Sequence, residues 1–99
     1  MALKTITINV NDGNFTYSEL VAYVDPGDDI EWICENEYDF AIHLSRCSPL
    51  NKGRFRGKKI IKANVEKDAK RGIYKYFVAV YYGEEIWTDD PVLIVPRPG

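Results

Sequence analysis

Val24-Asp25-Pro26-Gly27-Asp28-Asp29-Ile30-Glu31-Trp32 is the stretch that decides the fold. Pro presets φ at one turn position and Gly supplies the positive φ needed at the next, so Asp25-Pro26-Gly27-Asp28 reads as a tight turn. Beyond it, Ile30, Trp32 and Cys34 alternate with Glu31 and Glu35, the period of a half-buried strand. Upstream, an extended stretch covers Phe15 to Val24, and the turn chemistry of Asn11-Asp12-Gly13-Asn14 precedes it. Before that turn, Ile6, Ile8 and Val10 alternate with Thr5, Thr7 and Asn9.

Downstream the same period returns. Phe40, Ile42 and Leu44 oppose Ala41, His43 and Ser45. From Ile73 to Tyr82 the chain is β-branched and aromatic, with Tyr74, Tyr76, Val78 and Val80 on one face and Phe77, Ala79 and Tyr81 on the other. Whichever set faces out offers an aromatic stripe to a partner. Gly83-Glu84-Glu85 reads as a hairpin turn into Ile86-Trp87-Thr88. Asp89-Asp90-Pro91 is a further turn, and Val92 to Val95 is a last strand stopped by Pro96 and Pro98. Nothing of length repeats every 3.6 residues. The expectation is an all-β, two-sheet antiparallel Greek-key sandwich of seven to eight strands.

At 99 residues the chain is expected to be one domain, with a basic, loop-rich insertion at about 46–71. Its 45% hydrophobic and 13% aromatic content excludes disorder. No apolar run reaches the roughly 18 residues of a membrane-spanning helix. Met1 to Ile6 runs straight into strand alternation rather than a charged and then apolar leader, so the expected compartment is the cytoplasm. There Cys34 and Cys47 are expected as thiols, with Cys34 packing as a small hydrophobe.

The quoted stretch resembles the V-x-P-G-D-x-V-x-W segment of the cupredoxins, the small blue-copper proteins. His43 sits about where that family places its first copper-binding His. Gly72-Ile73-Tyr74-Lys75-Tyr76-Phe77-Val78 is similar to the G-x-Y-x-Y-x-C strand that leads to the copper Cys, and Pro91 to Val95 resembles the last strand. The resemblance implies a cupredoxin-like sandwich over residues 20–95. A blue-copper site takes two His and a Cys, usually with an axial Met. Here the Cys position is Val78, the chain has one His, and its one Met is residue 1. The implied protein is therefore copper-free, without a cofactor, and redox chemistry does not transfer with the fold.

No nucleophile elbow, phosphate loop or zinc-protease pattern is present, and the carboxylates fall at turns and strand ends, so an enzyme is not expected. Charge layout carries more. Residues 46–75 hold eleven Lys and Arg against Glu66 and Asp68, or +9, and the other 69 residues carry −11. Such segregation points to a non-catalytic binding module whose basic loop meets an anionic partner, an acidic protein surface or nucleic acid. The candidate contacts are Lys52, Arg54, Phe55, Arg56, Lys58 and Lys59, with Phe55 placed to stack on a base. The competing structural reading folds the basic loop over the chain's own acids. A copper-handling protein using His43 and Cys47 is the alternative function. A subunit that self-associates through its charge dipole is the third.

Overall fold

The computed structural model describes residues 2–44 and 48–99. Eleven strands form in chain order: β1 (Leu3–Asn11), β2 (Asn14–Tyr17), β3 (Val21–Tyr23), β4 (Asp29–Cys34), β5 (Asp39–His43), β6 (Arg54–Lys58), β7 (Ile60–Asn64), β8 (Gly72–Lys75), β9 (Phe77–Tyr82), β10 (Glu85–Asp89) and β11 (Val92–Val95). They hydrogen-bond in three groups, β2-β1-β4-β7, β10-β9-β5-β6 and β3-β11-β8.

The number exceeds eight because four extended stretches are interrupted. Ser18 to Leu20 separates β2 from β3, Lys59 separates β6 from β7, Tyr76 separates β8 from β9, and Asp90-Pro91 separates β10 from β11. Joined across these breaks, the strands make seven stretches. Two pairings, β1 with β4 and β3 with β11, are parallel, so the antiparallel expectation holds for the other six ladders. The segment expected as loop-rich contains β6 and β7 and buries Phe55, Ile61, Ala63 and Val65. Its Lys and Arg content obscured an alternation that the core enforces.

The Asp25–Asp28 turn forms as its residues dictate. Gly27 has φ 88° and Asp28 N–H donates to the Asp25 carbonyl at 3.0 Å. The buried Asp28 carboxylate accepts backbone N–H bonds from Ala2 at 3.0 Å and Asp25 at 2.9 Å. This anchors the start of β1 beside β4, where Leu3 pairs with Asp29.

β8–β9 and β10–β11 make one long hairpin. The register runs unchanged from Tyr82↔Glu85 to Gly72↔Val95, and Tyr76 N–H donates to the Pro91 carbonyl across the break. Tyr76 at the break and Val78 and Val80 of β9 face inward and are fully buried. Trp32 from β4 meets them from the opposing layer. Its indole Nε1–H donates to the Tyr76 hydroxyl at 3.1 Å, and the two rings lie 5.5 Å apart. Burial pushes the Tyr76 phenol up to about 12, with the Trp32 bond acting the other way. Cys34 is buried in the same core.

Candidate functional site

β5, β6 and β9 lay their outward side chains in three rows. His43 lies between Phe77 and Arg54, Ala41 between Ala79 and Arg56, and Asp39 between Tyr81 and Lys58. The two alanines lower the middle row, so the cationic side chains stand around a shallow concavity floored by the β5–β6 backbone. The Arg56 guanidinium stacks over the Tyr81 ring at 5.4 Å, and the His43 ring lies 6.4 Å from Phe77. A planar guanidinium resting on a ring keeps its N–H fork turned to solvent, ready for a flat or tetrahedral anion.

Most of these cations make no ion pair among the described residues. Among the described residues the ion pairs are Lys4–Glu19 at 3.0 Å, Lys59–Glu37 at 3.9 Å and Lys75–Asp90 at 3.9 Å. Lys59 is thus the one candidate contact with an acidic partner, in an exposed pair of little worth. Lys52, Arg54, Arg56 and Lys58 make none among the described residues. The basic segment meets the chain's own acids at Lys59–Glu37 and Lys75–Asp90, both weak exposed pairs, and Lys58 lies cross-strand from Asp39.

One candidate is misplaced by the sequence reading. Phe55 is only 6% exposed; it pairs with Ile42, and its ring lies 6.2 Å from Trp32 with the Lys52 ammonium 5.2 Å from its centroid. It is a core residue and cannot stack on a base. The exposed ring of this face is Phe77, at 45%. Its position was present in the alternation from Ile73 to Tyr82, which sets Phe77 against the Tyr76 face. What the alternation could not supply was the β5–β9 register that puts Phe77 beside His43.

A blue-copper centre does not fit these residues. Val78, at the position of the family's Cys, pairs with Ile42 and is fully buried, whereas His43 pairs with Phe77 and faces outward. Adjacent residues of a strand point to opposite faces, so a side chain at 78 and the His43 imidazole cannot share a metal. Cys47, the other half of the alternative copper pair, lies outside the described residues. Among the described residues no three His, Cys, Asp or Glu side chains converge. Elsewhere, the Tyr17 hydroxyl donates to Asp89 Oδ2 at 2.9 Å. Burial first, and then the carboxylate, hold that phenol far above the usual range, so it stays neutral and ties β2 to β10.

No protein-family model matches the chain, and no curated sequence matches it. Among solved structures, it is similar to a pseudoazurin from Sinorhizobium meliltoi, a cupredoxin, with a TM-score of 0.59 at 13% identity, over all of this chain and 77% of that one. The fold is cupredoxin-like. No helix among the described residues is long and apolar enough to cross a membrane.

Proposed function

We propose that the chain is a non-catalytic binding module of cupredoxin-like fold, without type-1 copper, whose outward β5–β6–β9 face holds an anionic macromolecule. The observation that carries this reading is the set of exposed cations, Arg54, Arg56 and Lys58, aligned on one strand with no internal ion pair among the described residues. Exposed Phe77 and half-exposed His43 and Tyr81 on the same face favour single-stranded nucleic acid, because rings stack on bases while cations follow the phosphates. Lys52 and Lys59 extend the positive rim.

The test is an amide-shift titration with a short oligothymidylate at about 50 and 200 mM salt. Saturable shifts at Ala41, His43, Arg54, Arg56 and Phe77, weakened at the higher salt, support the reading. Flat spectra at both salts remove nucleic acid as the partner. Shifts with polyglutamate instead would make the partner an acidic protein surface.

A further inference from the structure

We propose that two copies of this chain pair through the outward face of β3, β11 and β8. The register sets Val21, Val92 and Lys75 in one row and Tyr23, Ile94 and Ile73 in the next. Continuing the same alternation, Asp25, Pro96 and Arg71 make a third. Ile73 is 73% exposed, Tyr23 57% and Val21 43%, with Leu20 beside them at 56%. The other side of these strands is committed to the core through Ala22, Leu93 and Val95, all fully buried. Single exposed apolar side chains are ordinary, but a contiguous apolar sheet face is the mark of a docking surface.

Charge placement selects the occupant. The cations Arg71 and Lys75, the latter 3.9 Å from Asp90, lie on the β8 side of the patch and the acid Asp25 on the β3 side, with apolar β11 between. A twofold axis along β11 lays β8 over β3 of the second copy. Ile73 then meets the partner's Tyr23, the Lys75 stem covers the partner's Val21, and Arg71 faces the partner's Asp25. Each contact occurs twice, as an isologous interface requires. Val92 and Ile94 meet their own counterparts on the axis. The other in-plane twofold, across the strands, sets β8 on β8 and brings Arg71 against the partner's Lys75, a like-charge contact that disfavours it.

Three strands about 4.8 Å apart and five residues rising about 3.3 Å each span roughly 15 Å by 15 Å. That is well below the roughly 800 Å² per partner of a stable interface, so the dimer is a weak, reversible one. The anion-binding face lies chiefly on β5 and β6, across the β8–β9 arm from β11 and β3, and the two faces adjoin only where Lys75 precedes Phe77.

Sedimentation equilibrium from about 10 μM to 1 mM tests it, the range that reads weak association. The expected result is a mass rising with concentration from 11.4 kDa toward the dimer and no further. Asp25→Arg and Arg71→Asp should each weaken pairing about tenfold, and the double variant should restore it. All these side chains are exposed, and amide spectra verify that each variant is folded. A monomer throughout, growth past the dimer, or pairing indifferent to both charge reversals would overturn the proposal. Oligothymidylate titration of Ile73→Glu separates the two readings, because that variant should lose pairing and keep its anion-induced shifts.

Discussion

Replacing Tyr76 by Phe removes one oxygen from the centre of the sandwich and leaves the Trp32 indole N–H, now fully buried, without its acceptor. An orphaned buried donor costs about 1–3 kcal/mol. For a domain of this size that lowers Tm by roughly 5–20 °C at neutral pH. A second consequence separates hydrogen bonding from packing. The Tyr76 phenol is raised from 10.0 to about 12 by burial. Below pH 10 both folded and unfolded states keep the proton. Between pH 10 and 12 the unfolded chain gives it up first, so the native protein loses stability as pH rises, by about 2–3 kcal/mol across the window. Tyr76→Phe has no phenol to ionise and escapes this loss. Urea unfolding of both proteins from pH 8 to 12 should therefore show a gap that is widest at the low end and closes or reverses at the high end. A constant gap over that range would refute the link between burial and the phenol. Equal stability at pH 8 would refute the importance of the Trp32 bond.

Three further outcomes are expected. Asp28→Ala removes the acceptor for the Ala2 and Asp25 amides and should cost about 2–4 kcal/mol, with hydrogen exchange at Leu3 to Thr5 quickening first. Arg54→Glu with Arg56→Glu should leave urea unfolding within about 1 kcal/mol of the parent. It should flatten the salt dependence of oligothymidylate affinity by about two phosphate contacts. Gly57→Ala sets a Cβ 2.6 Å from the Ile60 carbonyl oxygen and 3.0 Å from Ile61 Cγ1, so thermal melting should fall even though alanine is the smallest addition.

The alternation and the Pro-Gly turn were legible because each is local. The strand breaks were less so. Lys59 takes φ 71° without being glycine, and nothing in Gly57-Lys58-Lys59-Ile60 announces it. The need arises only when β6 and β7 must join different strand groups within one residue. Phe55 was misread for a related reason. Its neighbours Arg54 and Arg56 make the segment polar on average, but pairing with Ile42 decides which face turns inward. The four candidate cations that make no ion pair among the described residues were found from charge alone. The ring that accompanies them, Phe77, required a register between strands more than thirty residues apart. The apolar β3–β11–β8 face was hidden likewise, since Val21, Tyr23, Ile73 and Ile94 come from three separate stretches.

The long β8–β11 hairpin also determines which changes of length the chain can accept. Its register is constant from tip to base, so one residue added inside either arm would exchange every inward side chain beyond it for an outward one. Tyr76 and Val78 would be delivered to water, and Phe77 to the core. At the tip the situation is the reverse. Gly83 has open space where a Cβ would project, and no ladder lies beyond it to shift. Residues inserted between Gly83 and Glu84 would thus lengthen the turn without moving any inward side chain, so this tip is where the hairpin can grow.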